Sequence, residues 1–393
     1  KSNINIKMSV IQFSSALPEN TKDTYNPFDN VDFMVYPEGR SLMLNKLRLV
    51  GKLSVRDGLN RFTKIASRLK DVSIDGYVGA HSLISDIQVE FMGGNSSGIQ
   101  EIINDYPRYV KMSKSASNNE SSMCNASQSC ELCSPFKEYS RAITCGSEAP
   151  AYVMPDATTE VDTLVPETDL DFSVKLNCCL NKASGNTSLD VSKTGAIKVS
   201  ITLNRNQNVF NGQDVANDTV YTLHDLKLNY CSVDTVKSQL PTVMRTKYTY
   251  KTNISSGFSN IQTKVPAVCD GVSMTFQPSA DEGNKSLNNT QLSLLPNVSE
   301  VVFTFNDSTN SLVSYSIKDD EELVERYLES LSKGGENNAK MSNILANEAY
   351  GIGLDFRDRI NLSNQKLNTQ ITSDVNSSNP FVAYLYFHSM VSV

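Results

Sequence analysis

Tryptophan is absent from this 393-residue chain, and histidine occurs three times, as His81, His224 and His388. The first absence removes the indole platform on which sugar-binding sites commonly stack their ligands. The second leaves no metal or triad pattern, because none of the three stands in a recognisable spacing with ligands or with an acid and a nucleophile. His81 opens a strand-like segment, His224 adjoins Asp225 within another, and His388 lies in the last one. A structural role is the expectation for each. Missing too are a Gly-rich phosphate loop after a strand, an H-E-x-x-H pair and a G-x-S-x-G elbow. The acidic pairs Asp319-Asp320 and Glu321-Glu322 are accounted for by the capping of one helix. No catalytic residue, cofactor site or metal ligand is assigned, and the chain reads as a non-enzyme.

A surplus of positive charge is also lacking. Lys and Arg total 36 against 43 Asp and Glu, a net charge of −7. Nucleic-acid binding needs clustered cations that displace counterions from phosphate, so direct binding of nucleic acid is not expected. The densest basic run holds Arg56, Arg61, Lys64, Arg68 and Lys70. It reads as a solvated face. No stretch approaches the ~18 consecutive apolar residues of a membrane span, and the chain reads as soluble.

What the chain does contain is a repeat. Residues 81 to 94, HSLISDIQVEFMGG, return in altered form at 295 to 308 as LPNVSEVVFTFNDS, 214 positions later. Ser85-Asp86-Ile87, Val89 and Phe91 are answered by Ser299-Glu300-Val301, Phe303 and Phe305. An even offset keeps the inward positions of a strand on the same face in both copies, as a shared pleat requires. A polar turn and a helical segment follow both copies. Two copies of one β-domain are expected, an architecture that suits a building block better than a catalyst.

Elsewhere the pattern is mostly period two. Leu47, Leu49, Leu53 and Val55 alternate with Lys46, Arg48, Lys52 and Ser54; Ile197, Val199, Ile201 and Leu203 alternate with Lys198, Ser200, Thr202 and Asn204. Leu226, Leu228 and Tyr230 repeat the signal. Such strands with long polar connections favour antiparallel sheets packed as sandwiches. Asp319 to Lys333 is the best helix, with Leu323, Val324, Tyr327, Leu328 and Leu331 on one stripe and Gly334-Gly335 behind it. Phe381 to Val393 is apolar on both faces and reads as a central strand.

The first 40 residues carry Pro18, Pro27 and Pro37 and alternate little. They read as an extended arm with one short strand at Val10 to Phe13. Met112 to Cys145 reads as a long exposed loop, and the second half is expected to begin around Val236 to Pro241. The loop holds Cys124, Cys130, Cys133 and Cys145 as C-x5-C-x2-C-x11-C. A tetrahedral zinc site, a loop disulfide and free thiols all remain open for these four. Cys178, Cys179, Cys231 and Cys269 fall in or beside strands, where a small buried hydrophobe is the default. Sequons such as Asn95, Asn125, Asn217, Asn297 and Asn376 matter only in a secretory route.

The order of segments resembles a known family. GAHSLISDIQVEF, then IQEIINDYPRYVKM, DFSVKLNCCLN, IKVSITLNRN and YTLHDLKLNY, and late in the chain YGIGLDFRDRINLSNQKLNTQI and NPFVAYLYFHS, are similar to segments of double jelly-roll major capsid proteins. These belong to the tectivirus, adenovirus and virophage lineage. The resemblance implies an all-β fold of two tandem eight-stranded jelly rolls, with an arm at 1–40, a first roll at 41–238 and a second at 239–393. It further implies a structural capsid protein of an icosahedral DNA virus, located in the virion and assembled inside the host cell. Implied partners are two further copies in a pseudo-hexagonal homotrimer, neighbouring capsomers, minor capsid or penton proteins and an internal viral membrane. A secreted or surface β-sandwich that binds glycans is the competing reading, favoured by the sequons and polar loops.

Overall fold

The computed structural model describes residues 10–56, 73–74, 78–94, 97–117, 170–185, 188–211, 220–234, 242–264, 268–284, 290, 292–306, 311–336, 338–346, 348–362 and 365–393. In the first half the strands are β1 (Ile11–Ala16), β2 (Asn30–Val35), β3 (Arg40–Met43), β4 (Arg48–Arg56), β5 (Ser73–Ile74), β6 (Ile84–Phe91), β7 (Gly98–Ile103), β8 (Leu170–Lys175), β9 (Ala183–Gly185), β10 (Ser188–Asp190), β11 (Ile197–Leu203), β12 (Phe210–Asn211) and β13 (Val220–Asp234). The second half has β14 (Thr242–Ile254), β15 (Phe258–Thr263), β16 (Val268–Pro278), β17 (Glu300–Asn306), β18 (Leu312–Ile317), β19 (Ile352–Asn361), β20 (Leu367–Thr372) and β21 (Phe381–Ser392). The longer helices are α1 (Tyr106–Ser117) and α2 (Asp320–Lys333), with the short α3 (Met341–Ala346) after them.

The second half has the simpler topology. Its eight strands form one sheet in the order β14-β21-β16-β19 and a facing sheet in the order β15-β20-β17-β18. Counted along the chain, the neighbours are first-eighth-third-sixth and second-seventh-fourth-fifth, which is a jelly roll. The first half repeats this order. There β1, β13, β4 and β8 are neighbours in one sheet and β2, β11, β6 and β7 in the other. The short β3 and β10 extend the first of these sheets. The fold is therefore a double jelly roll.

The repeated segment is the fourth strand of each roll, β6 and β17. Ile87, Val89 and Phe91 are buried, and so are Val301, Phe303 and Phe305 at the matching positions. The same offset carries on through the next strand, where Ile87 pairs with Ile103 and Val301 with Ile317. It then reaches the helices, which begin at Tyr106 and Asp320. Asp319 caps α2 by accepting from the backbone N–H groups of Glu321 and Glu322.

Two expectations change. Residues 1–40 are not an arm laid outside the sheets from end to end: β1 pairs with β13, and β2 pairs with β11 while burying Val31, Phe33 and Val35. The prolines fall between these strands, so β1 and β2 take the first two strand positions of the first roll, which starts at Ile11 rather than at residue 41. The loop expected from Met112 begins inside α1, where Met112, Ser113, Ser115 and Ala116 are buried. Ser side chains on the packed face hide the apolar period there. The rest of that loop, with Cys124, Cys130, Cys133 and Cys145, lies outside the described residues, as do Arg61, Lys64, Arg68 and Lys70 and the connection at 235–241.

The last strand is central as expected, between β14 and β16. Phe381, Ala383, Leu385 and Phe387 pack in the core of the second roll. Val382, Tyr384 and Tyr386, on the other face, join the core that contains the first roll. One strand thus belongs to two cores, and this is where the rolls meet.

Candidate functional site

The seam between the rolls is the most distinctive site in the molecule. β7, the edge of a first-roll sheet, meets β14, the edge of a second-roll sheet, with Tyr248 opposite Ile102 in parallel register. Their two sheets become one of nine strands. The Asn104 N–H donates to Thr249 Oγ1 at 3.2 Å across the junction.

Charged side chains fill the seam. Glu101 of β7 and Lys247 of β14 are both fully buried, with Oε1 and Nζ 3.8 Å apart. The second carboxylate oxygen of Glu101 accepts from the Cys179 N–H at 2.6 Å. Lys182, from the first roll, forms an ion pair with Glu336, from the second, and donates to Tyr109 Oη at 3.1 Å. Arg245 donates to the carbonyl of Lys333 at 2.6 Å, at the carboxyl end of α2, where a cation also suits the helix dipole. Burial pushes the Glu101 carboxyl up and both lysines down, each opposed by the opposite charges of the cluster. A charge placed here is costly unless its partner comes from the other roll. The cluster therefore fixes how the rolls face each other.

Beside the ion cluster the seam opens into a polar cavity of about 590 Å³, walled by Asp86, Asp105 and Arg108 from the first roll and Lys251, Gln277 and Glu282 from the second. Arg108 is buried, pairs with Asp105 at 3.0 Å, donates to Gln277 and lies over the Tyr384 ring at 4.2 Å. Lys251 and Glu282 pair across the rim. Arg205 also lines the cavity, so three cations face three carboxylates and the walls carry no net charge.

The three histidines are placed separately. His81 lies in a 3-10 turn just before β6, not at the start of the strand, and its Nδ1 is 2.9 Å from Tyr106 Oη. His224 stands in β13, where a bulge follows and Asp225 takes a φ of 52°. His388 is buried on β21 with Nε2 2.7 Å from Ser273 Oγ. This serine–histidine pair resembles half of a hydrolytic triad, but its protons run the wrong way. Ser330 Oγ donates to the Tyr327 carbonyl, so it must accept from Ser273, which in turn accepts from His388 Nε2–H. The imidazole is a donor to the serine rather than its base.

Cys178, Cys179, Cys231 and Cys269 are buried cysteines that form no disulfide among the described residues. Burial raises Cys178 and Cys269 to about 12, which keeps them protonated and unreactive. Among the described residues no cluster of three or more His, Cys, Asp or Glu side chains is arranged to hold a metal ion. None of the seam charges belongs to a sequence motif. Their one signal is a charge at an inward strand position, as in GIQEII around Glu101.

No family model matches the sequence, and no match is found among curated proteins. Solved structures do match. The chain is similar to the Faustovirus major capsid protein, at 7% identity and a TM-score of 0.60, over 98% of this chain and 90% of that one. It is similar to the PBCV-1 virus capsid at 11% identity and a TM-score of 0.56, over 98% and 94%. Similarity to a chain of the Sputnik virophage structure is 8% identity and a TM-score of 0.52, over 98% and 86%. At these identities what is shared is the fold, from end to end.

Proposed function

We propose that this chain is a structural major capsid protein of an icosahedral DNA virus, resident in the virion shell and assembled inside the host cell. The observation that carries the reading is the tandem of two complete jelly rolls locked side by side by their own buried charges. Proteins of known structure with this end-to-end arrangement include viral capsid proteins. A subunit with two similar lobes presents six when three copies join in a ring, so a homotrimer makes a pseudo-hexagonal tile. The boundary between the lobes is assigned to the connection at 235–241. Partners are neighbouring tiles, minor capsid or penton proteins at the vertices and an internal viral membrane beneath. With a net charge of −7 the shell does not package nucleic acid through this chain. The role is non-enzymatic.

Light scattering and electron microscopy of the expressed chain test this. The expected particle has about 130 kDa, three chains in closed symmetry, and a hexagonal outline. A monomer at micromolar concentration would overturn the reading, and a pentamer would move the chain to a vertex.

A further inference from the structure

One wall residue of the seam cavity adopts a backbone that its side chain disfavours. Phe28 is 60% exposed and has a φ of 70°. It sits in a turn closed by the Asp29 N–H, which donates to the Asn26 carbonyl at 3.1 Å, with Pro27 and Phe28 as the central residues. A proline followed by a positive φ is the type II pattern, whose third position suits Gly or Asn. Of the six non-glycine residues described with positive φ, the other five are Asn, Asp or Glu. A phenylalanine there is strained, and a ring left in solvent gains little core contact in return. Arg205, a second exposed wall residue, lies over the ring at 5.2 Å and holds it on the open side of the cavity.

The inner wall is short of an acceptor. Gln277 lies on β16 with its side chain on the face opposite Phe276, which packs in the core of the second roll. It is fully buried; its Oε1 accepts from Arg108, while its Nε2 has no hydrogen-bond partner among the described residues. A buried donor left unmade costs free energy that a ligand oxygen would recover. Around it the pairs Arg108–Asp105 and Lys251–Glu282 neutralise each other. Asp86 accepts from the Ser85 hydroxyl at 2.7 Å and has no ion pair among the described residues. Donors and acceptors thus line one cavity without a net charge, and its volume falls in the range of about 300–1,000 Å³ common to small-molecule sites.

We propose that this cavity binds a neutral pyranose sugar, with the ring against Phe28 and the hydroxyls turned to the wall of Asp86, Arg108 and Gln277. A hydroxyl both donates and accepts, so a sugar uses the carboxylates and the guanidinium and amide donors together. An ion of either sign would meet as many like charges as opposite ones, and an apolar ligand would leave the charged walls without solvation. The C–H face of a pyranose is apolar and packs on an aromatic ring, a role that falls to Phe28 in a chain without Trp. A free sugar and the end of a glycan present the same ring. The site stands on the geometry of one chain and does not rest on the capsid reading.

Saturation-transfer nuclear magnetic resonance of the full chain with millimolar glucose, galactose, mannose and N-acetylglucosamine, each as the free sugar and as its methyl glycoside, tests this. At least one should receive saturation. Binding of the methyl glycoside identifies a glycan end as the source, and binding of the free sugar alone identifies a free sugar. Phe28→Gly removes the ring and suits the turn, so the transfer should be lost while the melting temperature holds or rises. Asp86→Asn keeps the shape of the wall and should weaken binding by about tenfold, the scale of one hydrogen bond to a charged group. Silence from all these sugars overturns the site, as does transfer that both variants leave unchanged. Glucuronate binding as tightly as the neutral sugars overturns the argument from charge balance, and a melting temperature lowered by Phe28→Gly overturns the argument from strain.

Discussion

The carboxylate of Glu101 and the ammonium of Lys247 stand 3.8 Å apart, each fully buried, and each comes from a different jelly roll. Removing one partner of such a pair leaves a charge in the interior, at a cost of about 3–5 kcal/mol. Glu101→Gln keeps an acceptor for the Cys179 N–H and isolates Lys247, so it should lower the denaturant midpoint sharply. Adding Lys247→Met to that variant removes the orphan charge and should recover most of the loss. Urea titration of both variants measures this coupling; equal midpoints would show that the pair does not act across the seam.

His388 makes stability depend on pH. Burial holds its imidazole well below the ordinary value, and the cations of Lys247, Lys182 and Arg245 push the same way. A folded pKa below the unfolded one means that the unfolded chain binds the extra proton first. Stability from this group is complete above about pH 6.5 and falls as the pH drops, by up to about 1.4 kcal/mol per pH unit. His388→Gln retains a donor to Ser273 and cannot titrate. Melting temperatures of the two proteins between pH 7.5 and 5.5 should diverge on acidification, and their difference isolates the imidazole from the other groups of the cluster. Parallel curves would contradict the assignment.

How α2 lies on the second roll depends on glycine at 353. A Cβ built there would come within 2.1 Å of Ser330 Oγ on the helix and 3.0 Å of the Val272 carbonyl on the neighbouring strand. Gly353→Ala should destabilise by about 1–3 kcal/mol through overpacking. Gly93 provides the control, because a Cβ there meets its nearest atom, the Gly195 Cα, at an ordinary 3.5 Å. Calorimetry of the two alanine variants should show a large loss for the first and little change for the second.

Much of this architecture was legible in the chain because burial imposes period two on strands that face one core. The offset linking Ile87 to Val301 is an imprint of that kind, and the helix after each copy follows from the same duplication. The two-sided pattern of Phe381 to Phe387 marked a covered central strand, and the structure places its two faces in two different cores. What was hidden depends on partners far away in sequence. Glu101 and Lys247 look like ordinary surface charges until β7 and β14 are brought together. Similarly, Val31, Phe33 and Val35 alternate with Asp32 and Met34 over too few residues to outweigh the prolines on either side, and their partner, β11, lies far along the chain.

That segment gives the sharpest reversal of a sequence-level expectation. As an arm, residues 1 to about 35 would be removable without harm to the fold, with assembly alone lost. In the structure they supply β1 and β2, and Tyr25, Val31, Phe33 and Val35 are buried in the core of the first roll. Burying a side chain of that size contributes roughly 1.5–3 kcal/mol, so four of them exceed about half of a typical domain's net stability. Loss of β2 also exposes the edge of β11, whose backbone groups it pairs from Ile197 to Thr202. Deleting residues 1–35 should therefore unfold the first roll or send the chain into aggregates. A soluble truncated protein with an unchanged melting temperature would return the segment to the role of an arm.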